Sequence, residues 1–142
     1  MELSSSGEIL MIIYRQIGFD ELDKYGRLLA AFCIETNADD DALANILTGI
    51  ESGKTRVFAA ENGVICGVVG YRVAGEAAVS DFLYVIPEKR KSVIGGKLYY
   101  TAEKHAKANG LNKSVLIVTE DREPLYTKIG FKRKFILLEK EI

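Results

Sequence analysis

A chain of 142 residues with 48% hydrophobic and 27% charged residues can bury one substantial core and is too apolar for disorder. Its 19 basic and 20 acidic residues leave a net charge of −1, which excludes a global field that would draw in nucleic acid or an anionic membrane. No apolar run approaches the roughly 20 residues of a membrane span, and "MELSSSGEILMIIYRQ" lacks the basic leader and cleavage site of a secretory signal.

Cys33 and Cys66 lie far apart within apolar segments and read as buried free thiols of a reducing, cytoplasmic compartment. With His105 as the single histidine, no metal site is expected. Residues 1–10 read as an N-terminal extension, expected to be flexible, and residues 11–142 as one domain.

From Met11 to Gln16, branched and aromatic residues predict a β-strand. The period then changes. Leu22, Tyr25, Leu29 and Phe32 recur at helical spacing, and "DDDALANILTGIESG" predicts a second helix with acids at its start and Gly53 past its end. "RVFAA", "VICGVVGYRV" and "AAVSDFLYVI" predict three consecutive antiparallel strands, the first pair joined by a turn at Asn62-Gly63. Pro87 ends the third, because proline cannot donate to a ladder.

Ile94 to Ala108 reads as a helix with Ile94, Leu98, Ala102 and Ala106 on one face and Gly110 as its C-cap. "SVLIVT" predicts a continuous apolar strand, central and covered on both faces. "EPLYTKIGF" predicts a short helix ending at Gly130, and "KFILLEKEI" a final strand. The order β-α-α-β-β-β-α-β-α-β is that of a mixed α/β domain.

Two stretches carry chemistry. "PEKRKSVIGGKL" joins a strand to a helix, and the N–H groups of a helix's first turn are unpaired and attract phosphate. Gly95 and Gly96 remove Cβ atoms there, while Arg90, Lys91, Lys97 and Ser92 add charge and a hydroxyl. The competing reading is close helix–sheet packing with solvated lysines. In the second stretch, Tyr126 sits on a short helix ahead of Gly130-Phe131, where a tyrosine ordinarily packs its ring and finds one hydrogen bond.

Taken in order, "FLYVIPEKRKSVIGGKL…AEKHAKANGL…VLIVT…LYTKIGF" resembles the GNAT superfamily of acyl-CoA-dependent N-acyltransferases. Val85, Pro87, Arg90, Ile94, Gly95 and Leu98 match the family pattern V-x-P-x-x-R-G-x-G-I-G-x-x-L in register, as do Ala106, Gly110, Leu125, Tyr126, Gly130 and Phe131 further on. The sequence departs from that pattern at Lys91 and Val93, which replace two glycines, and at Thr119, where an asparagine often stands. The element order agrees from Met11 to the end; the motifs occupy about half the chain.

The resemblance implies a central, mostly antiparallel sheet of about six to seven strands flanked by about four helices. It implies acetyl transfer from acetyl-CoA, as cosubstrate, to a primary amine on a small molecule or a protein. Pantetheine is expected between "SDFLYV" and "SVLIVT", with main-chain groups of Tyr84, Val85 and Ile86 on its amides and thioester. Arg90, Lys91, Ser92, Val93, Ile94, Gly95 and Gly96 are expected at the pyrophosphate, and Thr119 at the cofactor. Tyr126 takes the general-acid position. Asp81 is the first candidate to accept the amine's proton, with Glu76 and Glu120 as alternatives.

The departures keep open a second reading, a catalytically inactive GNAT-fold binding or regulatory module. Other residues read blandly: His105 packed or at the surface, Cys66 in the core, residues 132–134 as a solvated strand entrance, and Tyr99 and Tyr100 divided between one packed and one exposed position. Neither a nucleic-acid nor a membrane partner is expected, and a homodimer through the last strand or the first helices stays open.

Overall fold

The computed structural model describes residues 2–3 and 9–142. Its elements in chain order are β1 (Glu2–Leu3), β2 (Ile9–Leu10), β3 (Ile13–Ile17), α1 (Leu22–Glu35), α2 (Ala42–Glu51), β4 (Arg56–Glu61), β5 (Ile65–Ala74), β6 (Ala77–Val85), α3 (Ile94–Ala108), β7 (Lys113–Val115) and α4 (Glu123–Thr127). One five-stranded sheet has the order β3-β4-β5-β6-β7, antiparallel up to β6 and parallel between β6 and β7. Most of the expected extension over residues 1–10 lies outside the described residues; its two described pieces, β1 and β2, pair with each other.

The meander follows from its turns. Gly63 and Gly75 adopt φ of 93° and 60°, which suits the tight reversals on either side of β5. The first seven residues of β5 are all buried, and its two faces feed two separate cores. On one face Val68, Phe82 and Tyr84 pack with Tyr25, Leu28 and Leu29 of α1 and Ile50 of α2. On the other, Cys66, Val69 and Tyr71 pack with Ile94, Leu98, Ala102 and Ala106 of α3. The apolar stripe read for Ile94 to Ala108 is therefore the one α3 buries.

Two strand expectations need correction. The central sheet has five strands rather than six or seven. "SVLIVT" forms ladder only up to Val115 and sits at the sheet edge, with Ile117 82% exposed. "KFILLEKEI" forms no strand, and Phe135 to Leu138 are 75–92% exposed. Strand propensity reports only that a segment suits a pleated, half-buried surface, and it does not supply a partner. The covered, continuous apolar strand is β5, whose run from Ile65 to Tyr71 has the same composition signal as "SVLIVT" but two ladder neighbours.

Candidate active site

The site begins with a divergence. β6 and β7 pair only at Ala77–Lys113, Ala78–Ser114 and Val79–Val115, and beyond that the two chains part. A cleft of about 400 Å³ opens between them, lined by residues 80–83 on one side, residues 116–119 on the other, and Tyr99, Asp121, Arg122 and Tyr126. Phe32, Glu35, Thr36 and Asn37 at the end of α1 close one wall. A second cavity of about 290 Å³ shares Phe32, Glu35, Thr36, Leu83 and Arg122 and reaches Tyr84, Val85, Arg90 and Leu125. The two join the splayed strands to the loop before α3.

A bulge marks the same stretch of β6. The register passes from Gly70–Phe82 to Tyr71–Ser80, which leaves Asp81 as the extra residue. Bulges re-aim side chains and gather next to active sites. Gly70 permits this one, since a Cβ there would lie 2.5 Å from the Phe82 ring. Asp81 accepts hydrogen bonds from Thr55 Oγ1 at 2.9 Å and Arg72 Nε at 2.8 Å, one on each carboxylate oxygen. Of the three proton acceptors considered from sequence, only Asp81 lines the cleft. Glu76 sits at the β5–β6 turn beside Asn112, and the Glu120 side chain is 89% exposed.

Tyr126 on α4 points its ring into the cleft and contacts Tyr99 and Phe131 edge-to-face, with centroids 6.0 and 5.9 Å away. Burial pushes its phenol pKa up. Tyr99 is 5% exposed and Tyr100 67%, the division expected for the pair. Burial raises the Tyr99 pKa far above the usual phenol range.

The loop before α3 answers the question that Val93 raises. Val93 has φ −82° and ψ −4°, caps α3 in ordinary helical geometry, and is 53% exposed. It requires no left-handed backbone. That demand falls on Lys91, at φ 63°, where an L-residue is disfavoured by roughly 1–2 kcal/mol. Ser92 Oγ donates to the Lys89 carbonyl and accepts from Ile94 N–H, bracing the turn. A Cβ on Gly96 would meet nothing within 4 Å, and one on Gly95 only Val85 at 3.9 Å. Neither glycine is needed for helix–sheet packing, although each costs a helix about 0.8–1.0 kcal/mol relative to alanine.

Arg90 does not lie against the start of α3. Its Nε donates to the Val85 carbonyl at 2.8 Å, its Nη2 pairs with the Glu35 carboxylate at 2.7 and 3.0 Å, and its guanidinium lies over the Tyr84 ring. Ile86 N–H is already bonded to the Cys66 carbonyl, which continues the ladder. Thr119 lines the cleft, and its carbonyl accepts from the N–H groups of Arg122 and Glu123 at the start of α4.

Glu35 and Arg122 were not singled out from sequence, and Tyr99 was read only as one of a packed and exposed pair. Glu35 left one trace: an acid in the last turn of α1 opposes the helix dipole, and that turn holds no basic residue to offset it. His105 lies away from the cleft, with Nδ1 hydrogen-bonded to the Tyr71 hydroxyl at 2.6 Å and its ring against Phe58. Cys66 is buried and Cys33 partly so, and no disulfide joins them.

Residues 53–133, more than half of the chain, match the acetyltransferase (GNAT) domain model. The chain belongs to the GNAT acetyltransferase family. The enzyme class implied by the loop and by Tyr126 is thus that of the family, an acyltransferase. Solved structures agree on the GNAT fold. A ribosomal-protein-alanine N-acetyltransferase from Brucella melitensis biovar Abortus 2308 superposes with TM-score 0.76 at 18% identity, covering 93% of this chain and 99% of that one. A GCN5-related N-acetyltransferase from Ralstonia eutropha JMP134 gives 0.73 at 22% identity, covering 92% and 99%. An acetyltransferase of Clostridium acetobutylicum solved with acetyl-CoA gives 0.74 at 16% identity, covering 92% and 96%. No curated protein is similar enough in sequence to count as a relative. Among the described residues, no helix of this GNAT protein is long and apolar enough to cross a membrane.

Proposed function

We propose that this protein is an N-acetyltransferase that moves an acetyl group from acetyl-CoA to a primary amine by direct attack in a ternary complex. The observation that carries the reading is the splay between β6 and β7, which opens a cleft with the Tyr126 phenol in its wall and a second cavity beside it that reaches Arg90 in the loop before α3. Acetyl-CoA fits what the chain offers, because Gly95 and Gly96 cost helix stability and return no packing, which leaves backbone N–H groups open to an anion. When bound, it supplies an activated thioester.

The rest follows from the chain's own groups. Residues 91–96 hold the pyrophosphate through backbone N–H groups, with the charges of Lys91 and Lys97 beside them and Arg90 held on Glu35. The splay between residues 80–83 and 116–119 receives the pantetheine arm, and Tyr84 and Val85 offer main-chain groups along it, whereas both main-chain groups of Ile86 are already bonded. Asp81 faces the arriving ammonium. A carboxylate has about four lone-pair sites, and Thr55 and Arg72 use two, so Asp81 retains room to take a proton, directly or through water. Tyr126 Oη carries the proton for the departing thiolate. The acidic groups in the cleft, Asp81 and Asp121, favour a cationic substrate, and two cysteines without a disulfide suit a cytoplasmic enzyme.

The test is a thermal melt with acetyl-CoA, run beside an amine panel that monitors free CoA thiol. At 100 times its dissociation constant, acetyl-CoA adds about 2.7 kcal/mol of stability. No shift at any concentration, with no thiol released, favours instead the non-catalytic module, a reading supported by the hold of Glu35 on Arg90.

That hold carries a prediction. If Arg90 serves the pyrophosphate, it must first leave Glu35. Both side chains are more than a third exposed, so the pair is worth at most about 1 kcal/mol. Glu35→Gln should therefore tighten CoA binding by up to about 5-fold in titration calorimetry. Weaker binding by the variant would show that Glu35 holds Arg90 in its working position.

A further inference from the structure

α4, which carries Tyr126, is five residues long and contains no buried residue. So short a helix cannot fix the direction of a side chain through its own cooperativity. The ring contacts of Tyr126 are to Tyr99 and Phe131, and Phe131 leads into the C-terminal segment that joins no strand. Tyr99 differs from both. It belongs to α3, a helix of 15 residues, and is nearly fully buried. Its α3 neighbour Leu98 fills the core beneath the sheet, whereas Tyr99 lines the cleft.

We propose that Tyr99 is a positioning residue for Tyr126: seated deep in α3, its ring holds the edge of the Tyr126 ring and so ties the phenol to the helix that packs beneath the sheet. The inference rests on Tyr126 serving as the general acid. Tyr99 itself donates no proton in the reaction. It acts on orientation alone, and orientation errors of about 1 Å can cost about 100-fold in rate.

The test uses Tyr99→Leu and Tyr99→Met, which remove the ring, beside Tyr99→Phe, which keeps it. Expected are a kcat lowered about 10-fold or more in the first two and within about 2-fold of the wild type in the third, with the KM for acetyl-CoA within about 2-fold throughout. In a Tyr126→Phe background, the two ring-free substitutions should slow the enzyme little further, because the group they position has gone. A wild-type kcat in both ring-free variants overturns the proposal, as does a loss of the same factor with and without the Tyr126 hydroxyl. If Tyr126→Phe alone matches the wild type, the acid reading falls and the positioning role falls with it. Should Tyr99→Leu fail to fold, Tyr99→Met, which fills more of the space, decides the matter.

Discussion

Tyr126→Phe should lower kcat by about 100-fold while leaving acetyl-CoA affinity within about 2-fold. The size follows from the range for a positioned general acid, about 10²–10⁴-fold, taken at its lower end because a thiolate with an intrinsic pKa of about 8.5 is a fair leaving group unaided. Burial raises the Tyr126 pKa above the ordinary phenol value, which favours the protonated form that an acid needs. The substitution preserves the ring that meets Tyr99 and Phe131, so neither the fold nor the cleft should change. Loss in kcat with unchanged CoA binding marks an interaction made only in the transition state. Steady-state kinetics beside titration calorimetry separates the two quantities, and an unchanged kcat removes the acid role.

The second expectation sets stability against binding. Gly96→Glu should raise the melting temperature of the free protein by about 2–4 °C and weaken CoA binding about 100-fold. With Val93 as N-cap, Gly96 is the third residue of α3, the position where a glutamate best complements unpaired N–H groups and the positive helix end. Replacing glycine in a helix, with that dipole contribution, adds about 1 kcal/mol, which in a chain of this size corresponds to the stated shift. Space is no obstacle, because a Cβ there meets nothing within 4 Å. The same carboxylate would stand where a pyrophosphate is expected, and two like charges about 4 Å apart repel by about 1 kcal/mol in water and about 4 at an effective dielectric of 20. A value between those limits, about 2.7 kcal/mol, is a factor of about 100. A stabilised protein that binds CoA as well as before would place the anion elsewhere. A destabilised one would show that glycine serves the fold.

The two expectations draw on residues of unequal visibility. Gly96 and Tyr126 stood out in sequence because each belongs to a local pattern whose spacing is set by one helix turn and one strand-to-helix connection. The stripe Ile94, Leu98, Ala102 and Ala106 was legible for the same reason, and α3 buries all four. Asp81 could be named, but not as the extra residue of a bulge, since a bulge is a relation between two strands. Glu35 and Arg90 are 55 residues apart, and no local pattern announces such a pair. Tyr99 looked like one of two adjacent tyrosines; only its depth and its ring contact with Tyr126 separate it from Tyr100.

The sequence by itself determined the element order through β6 and α3, the places where the chain turns, and the family to which the loop and Tyr126 belong. These depend on periodicity, glycine and proline, which act within a few residues of their position. Tertiary structure decided which apolar run became the covered strand, β5 rather than "SVLIVT", and left "KFILLEKEI" without a ladder. It also decided that Val93 stays in helical geometry while Lys91 takes the left-handed turn. The physical reason is the same in each case: local propensity states what a segment can do, and only the neighbours it meets in space determine which hydrogen bonds and buried surfaces are there to be used.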